Sequence, residues 1–379
     1  MLTRVQPASF AAAAEALREA GAARRSVRIR GGASKAWGVL GAAPEVEIGT
    51  ARLNRILEHN EGDLTAVLEA GVPLGCAQQQ FAASGQMLAL DPFLGQSHEA
   101  TIGGVIATAD AGPLRHRYGA PRDLILGMTV ALSDGTLARS GGKVIKNVAG
   151  YDIGKLFCGS FGTLGMILSV SVRLHPLPAR TVTALGVADD PALAAATAGA
   201  LARAPLELEA LDVAWRGGRG GLLARCGGLQ ARARAERVGA LMRASGLQGI
   251  ELVEPDTELW ARQRAGQRSS QRALLRVAAR PSALAEVLAA ADVAAATVVG
   301  RAGLGLCFLE LDPEALNRLT DALPAGAQRV LLDAPAALRG SAAVWGDPAG
   351  GEALELMRRV KARFDPARVC NPGVFVGGI

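Results

Sequence analysis

Apolar and polar positions along the chain change rhythm repeatedly, and each change predicts an element. Ser9 can cap a helix over about 10–22, ended by Gly21 and its neighbours. Ser26–Arg30 alternates charged and apolar residues as a short strand does, then breaks into Gly31-Gly32. Leu64–Ala70 reads as a strand leading to Gly71-Val72-Pro73, followed by a helix over roughly 73–84 that stops at Ser84-Gly85. Thr101–Thr108 begins a helix with two glycines in its first turn. Leu124–Leu132 and Thr136–Arg139 flank Ser133-Asp134-Gly135, a strong hairpin signal. Leu164–Leu174 predicts a buried strand, and the two prolines of His175-Pro176-Leu177-Pro178 should end pairing there.

Beyond residue 180 the texture shifts. Alanine-rich stretches at 190–203, 229–245 and 282–292 predict helices, alternating with apolar strands at 205–214, 272–278 and 304–310. That alternation predicts an α+β domain. Glycine-rich 216–221 reads as a hairpin loop and 335–350 as a linker. Glu352–Phe364 has apolar residues at helical spacing, followed by Asp365-Pro366 and by Val369-Cys370-Asn371-Pro372-Gly373.

Composition narrows this picture. The chain has 379 residues, of which 50% are hydrophobic, enough for a sizeable core and for two or three domains. The net charge of +6 would suit a nucleic-acid partner. However, only five of the 41 basic residues are lysines, and no basic run with interleaved aromatics occurs, so scattered surface arginines explain the charge. Five cysteines, well separated and without a CxxC pair, exclude an iron–sulfur or structural zinc motif and fit a reducing cytoplasm. No metal site is expected. Met1–Phe10 lacks a signal-peptide pattern, and no apolar run reaches the roughly 20 residues of a membrane helix.

The chemistry concentrates where glycines are dense. Leu90-Asp91-Pro92 is followed by Ala100-Thr101-Ile102-Gly103-Gly104, then by Gly112-Pro113-Leu114-Arg115-His116-Arg117-Tyr118-Gly119. Next come Lys146-Asn147-Val148-Ala149-Gly150-Tyr151-Asp152 and Gly159-Ser160-Phe161-Gly162-Thr163-Leu164-Gly165-Met166-Ile167. Upstream lies Arg28-Ile29-Arg30-Gly31-Gly32-Ala33-Ser34-Lys35. Several such turns imply a long ligand held largely by main-chain groups. No GxGxxG follows a strand, and Gly142-Lys143 and Gly154-Lys155 lack the Ser or Thr of a phosphate-binding Walker loop.

In this order, the glycine motifs resemble the FAD-binding domain of the vanillyl-alcohol oxidase (p-cresol methylhydroxylase, PCMH) superfamily. Within it they are most similar to the E-type FAD-binding subunits of bacterial glycolate oxidases. The resemblance covers residues 1–178 and about 352–379. It implies an α+β protein with a two-subdomain PCMH-type FAD-binding domain over 1–178, an α+β cap domain over 179–340, and a tail over 341–379 that returns to the FAD domain.

The resemblance also implies roles. Arg30, Gly31, Gly32, Ala33, Ser34 and Lys35 would cradle the FAD pyrophosphate in a nest of backbone N–H groups. Thr101, Gly103 and Gly104 would make the second pyrophosphate contact. Pro92, Gly112, Arg115, Tyr118, Gly119 and Lys146 would lie by the flavin; Gly162, Leu164, Gly165 and Ile167 would meet the adenine, and Asn371 the cofactor. The family often has glycine or histidine where this chain has Ala33, and some members attach flavin covalently there. With no histidine in the loop, the FAD should be non-covalent and dissociable.

Catalytic relatives place a metal-binding histidine pair and a histidine base in and after the cap. Here His59, His98, His116 and His175 are the only histidines. Oxidising an alcohol needs a base for the hydroxyl proton. The cap offers Arg262, Arg264, Arg268 and Arg276 for a carboxylate but no base; His98, His116, Tyr118 and Lys146 are the catalytic candidates. The expected function is one subunit of a complex that oxidises glycolate to glyoxylate and passes electrons to a quinone-type acceptor. Its partners would be a catalytic flavin subunit and an iron–sulfur subunit, and its place cytoplasmic, peripheral to the inner membrane. The alternatives are a stand-alone FAD-dependent hydroxy-acid or alcohol oxidase, and a flavin-bound scaffold without a redox role. The UDP-sugar enolpyruvyl reductases share the flavin fold, but the tail and the Lys146 motif argue against them.

Overall fold

In a computed structural model, residues 2–35, 37–38, 43–143, 152–339, 342–346 and 351–379 are described. The chain divides into two compact units. The first comprises Met1–Ala111, Gly119–Leu177 and Asp347–Ile379; the second comprises Gly112–Tyr118 and Pro178–Gly346.

The first unit holds two main sheets. Thr3–Val5, Val46–Gly49 and Val27–Arg30 form a parallel three-stranded sheet with Val46–Gly49 in the middle. The helix Phe10–Ala22 is capped by Ser9, whose hydroxyl oxygen accepts from the Ala12 N–H at 3.1 Å. Its buried stripe of Ala13, Leu17 and Ala20 meets Val27, Val46 and Ile48 in one core cluster. The second sheet is antiparallel, in the order Ile56–Asn60, Thr65–Glu69, Met166–Arg173, Ile125–Ala131 and Leu137–Gly141. Met166–Arg173 lies at its centre and is buried on both faces over most of its length, Ser169 included.

The C-terminal residues complete this unit. Val369 and Cys370 belong to the same core cluster as the first helix. Cys370 bridges Val27 in parallel fashion: the Val27 N–H donates to Val369 O at 2.7 Å, and the Asn371 N–H to Val27 O at 2.8 Å.

The second unit is built on an eight-stranded antiparallel sheet. Its order is Gln248–Val253, Thr181–Ala188, Arg219–Gly227, Ala210–Arg216, Thr297–Arg301, Leu306–Leu311, Ala273–Ala278 and Gln328–Asp333. The helices Pro191–Arg203, Ala231–Ala244 and Leu284–Val293 bury alanine-rich stripes. The glycine-rich loop is a two-residue turn, Gly217 (φ 58°) and Gly218 (φ 73°), the left-handed geometry that suits a tight hairpin. Asp292 holds it by accepting from the Gly218 N–H at 2.7 Å and the Trp215 indole at 3.0 Å.

Two expectations change. His175–Pro176 pairs with Gln86–Met87 in place of ending all pairing. The pair has only two residues, so the missing proline N–H is tolerated, and the Leu177 N–H donates to Gly85 O at 2.8 Å. The expected linker over 335–350 includes two helical turns, Ala336–Arg339 and Ala342–Trp345. Alanine favours helix there, and the Arg339 guanidinium fastens the first turn to Ala334 O and Leu332 O at 3.1 and 3.2 Å.

Candidate functional site

The strand Val27–Arg30 runs straight into Gly31-Gly32-Ala33, and this turn forms one wall of a cavity in the first unit. Ala33 is left-handed at φ 56°. Among the described residues, nothing accepts from the backbone N–H groups of Gly31, Gly32 or Ala33. A turn with successive unspent N–H groups and a left-handed residue has the makings of an anion-binding nest. Its glycines are required by crowding. A Cβ on Gly31 would overlap the Thr101 hydroxyl, and one on Gly32 would overlap the Glu99 carbonyl.

The adjoining wall begins at Thr101. Its hydroxyl caps the helix Ile102–Thr108 by accepting from the Gly104 N–H at 3.3 Å. Gly103 packs on Ala70, where a Cβ would come within 2.7 Å of the alanine methyl. Further along, Thr108 donates back to Gly104 O at 2.8 Å. Beneath the nest lies Lys35, nearly buried, its ammonium 3.4 Å from the equally buried Asp110 carboxylate and 3.4 Å from Phe93 O. A buried cation with a carboxylate partner keeps the local charge balanced.

The third wall joins two distant parts of the chain. Phe161 (φ 53°) and Gly162 (φ 72°) form a left-handed pair before the central strand, and Gly165 follows against Ala131 O. Asn371, itself left-handed at φ 40°, donates its amide to Phe161 O at 2.6 Å and accepts from the Ile29 N–H at 2.8 Å. The tail thus stitches the first strand to the Phe161 turn, and both amide atoms of Asn371 are consumed in doing so.

One cavity therefore collects Arg30, Gly31, Gly32, Ala33, Ser34, Lys35, Thr101, Gly103, Gly104, Gly162, Gly165, Ile167 and Asn371. The other positions fall elsewhere. Leu164 is buried in the core beside it, Pro92 is buried, and Gly119 (φ 83°) faces Asp123 at a helix start. Gly112, Arg115 and Tyr118 belong to the second unit. Lys146, with Asn147 and Tyr151 of its motif, lies outside the described residues.

Sequence reasoning missed Trp37, Glu47, Thr50, Ala70, Phe161 and Val374, which also line the cavity. Glu47 is buried between Arg4 (3.5 Å) and Arg30 (3.4 Å). A carboxylate in the apolar run Val46–Gly49 was the signal for it. Phe161 and Val374 carry none, because their place depends on the tail's return.

The catalytic candidates are dispersed. His98 is exposed on a left-handed turn at φ 57°. In the second unit, the Tyr118 hydroxyl donates to Glu209 at 2.7 Å, and Arg117 lies 3.3 Å from the same carboxylate. Burial first, then the Glu209 contact, pushes the phenol well above its usual range, so it stays protonated. His116 has no partner for Nδ1 among the described residues, and burial lowers its pKa. Of the cap arginines, Arg268 is held by Asp333 at 2.7 and 2.9 Å.

Comparison with known proteins agrees with this geometry. The FAD binding domain family matches residues 2–141, and the C-terminal domain of FAD linked oxidases matches residues 341–375. The chain is 37% identical over 163 residues to glycolate oxidase subunit GlcD of Bacillus subtilis (strain 168), covering 42% of this chain and 34% of that one. It is 37% identical over 152 residues to glycolate oxidase subunit GlcE of Escherichia coli (strain K12), covering 40% and 42%. The chain thus spans less than half the length of these relatives. A solved alkyldihydroxyacetonephosphate synthase superposes with a TM-score of 0.74 at 15% identity, covering 97% of this chain and 76% of that one. The fold is thus the PCMH-type FAD-binding fold. The chain contains an FAD-binding domain and a C-terminal segment of the FAD-linked oxidases, and FAD is its cofactor.

Proposed function

We propose that this chain is the E-type FAD-binding subunit of a glycolate-oxidising complex, an FAD-dependent oxidoreductase acting on CH–OH groups. The observation that carries the reading is the convergence of three glycine-bearing segments and the Asn371 tail on one cavity in a chain with an FAD-binding domain. The similarity to two glycolate oxidase subunits favours glycolate as the substrate of the complex. Bound FAD supplies the two-electron redox chemistry.

The chain's own residues hold and orient the cofactor. The N–H groups of Gly31, Gly32 and Ala33 would take pyrophosphate oxygens, with Thr101, Gly103 and Gly104 lining the same cavity. The main chain from Gly162 to Ile167 would receive the adenine. With alanine at position 33 and no histidine in the loop, attachment is non-covalent.

No side chain is assigned as the base. Tyr118 is a committed donor to Glu209, His98 is exposed, His116 is half-buried beside Gly303, and Lys146 lies outside the described residues. We infer that the subunit relays electrons between a catalytic flavin subunit and an iron–sulfur subunit, on the way to a quinone-type acceptor. It sits in the cytoplasm, held at the inner membrane by its partners; among the described residues no helix is long and apolar enough to cross a membrane. Anaerobic mixing of the purified flavoprotein with glycolate should leave the flavin oxidised. Rapid bleaching by glycolate alone would refute the relay role.

A further inference from the structure

The tail that completes the cavity is fastened by a buried ammonium. Lys361 sits on the last turns of the helix Gly351–Phe364 with its side chain only 8% exposed. Its Nζ donates to three oxygens: Thr163 O at 2.6 Å, Asp365 Oδ2 at 2.6 Å and Cys370 O at 2.8 Å. Asp365 is fully buried and in turn accepts from the Val369 and Cys370 N–H groups at 3.2 and 2.9 Å. An ammonium has three donors, and here all three are used.

These contacts tie together two cavity walls. Thr163 follows Gly162 directly, and Cys370 precedes Asn371 directly. Gly162 and Asn371 both line the cavity, as does Val374 beyond them. The Phe161 and Phe375 rings lie 5.5 Å apart, adding an apolar contact across the same seam. Two non-glycine residues, Phe161 and Asn371, are left-handed here. Such backbone holds its geometry only when its surroundings over-determine it.

We propose that Lys361 is a positioning residue for the cofactor, coupling docking of the C-terminal tail to FAD binding. The inference rests on the FAD reading of the cavity. A ligand that fills a cavity with one wall made by the tail binds only the docked tail, so it must also stabilise docking. Linkage makes the two effects equal in size. Lys361 touches no cavity atom itself; it acts through Thr163 and Cys370.

The test uses the full chain, with FAD as the probe. Lys361→Met leaves Asp365 buried without its cation and destabilises the fold. Lys361→Met/Asp365→Asn removes both charges, keeps an acceptor for one of the two N–H groups that Asp365 holds through separate oxygens, and lacks the tethers to Thr163 and Cys370. In the double variant the FAD dissociation constant should rise about tenfold, a typical coupling, at a temperature where its apo form is folded by circular dichroism. In the unaltered protein, FAD should slow amide exchange across residues 365–379 by a similar factor, a measurement that needs no variant. The proposal is overturned if a folded double variant binds FAD within twofold of the parent, or if FAD leaves tail exchange unchanged. Failure of the parent chain to bind FAD would instead refute the cofactor assignment, and this proposal with it.

Discussion

Ala33 is the residue where local conformation and ligand contact conflict. A left-handed alanine costs on the order of 1 kcal/mol relative to glycine, and its φ of 56° puts it there. Ala33→Gly should therefore raise the urea midpoint by an amount corresponding to about 1 kcal/mol, with an unchanged m-value and FAD still bound. His116 gives a pH signature. Burial lowers its pKa in the folded chain, so the unfolded chain binds its proton first as pH falls. Its contribution to stability is complete above about pH 6.5, the ordinary histidine value, and is lost as pH falls below that toward the depressed folded value. Denaturation midpoints compared at pH 7.5 and 5.5 should differ less in His116→Gln than in the parent.

At the scale of elements, the loops were more legible than the sheets. Gly31-Gly32, Gly103-Gly104 and Gly162–Gly165 announce themselves because a turn that must admit a ligand or a close neighbour cannot carry a Cβ. Ser9, Thr101 and the alternation of Ser26–Arg30 likewise expose their elements through local chemistry. The tail's role was legible only through family resemblance, since the Asn371 contacts with Ile29 and Phe161 span the length of the chain. Strands such as Thr181–Ala188 and Arg219–Gly227 carry glycines and alanines that mask their pattern. Gly221 is glycine because a Cβ would overlap Gly186 O on the neighbouring strand, a constraint no single-sequence pattern reveals. The same logic makes the nest fragile. Gly32→Ala drives a methyl into the Glu99 carbonyl, so the turn must move. Its FAD affinity should fall by two orders of magnitude or more, about 3 kcal/mol or above, while far-ultraviolet circular dichroism stays native.

At the scale of the whole molecule, a chain with two compact units keeps the residues that line the cavity in the first, which is assembled from both ends of the sequence. The second unit spends its charged groups on one another: Arg301 with Asp212 at 2.8 Å, Arg225 with Asp256 at 3.1 Å and Arg268 with Asp333 at 2.7 Å. Those pairings fit a unit that orders its own sheet. Co-expression with the neighbouring subunits should then yield a complex whose glycolate activity requires them, and whose spectrum adds iron–sulfur absorbance to flavin.

The most direct measurement of the central claim is a titration of the apo chain with FAD, followed by acid precipitation and repeated for Gly32→Ala. A nest at Gly31–Ala33 predicts one FAD per chain, all of it released into the supernatant on precipitation, and binding lost in the folded variant. A parent chain that takes up no flavin, flavin retained in the pellet, or a Gly32→Ala protein that binds as tightly as the parent would contradict it.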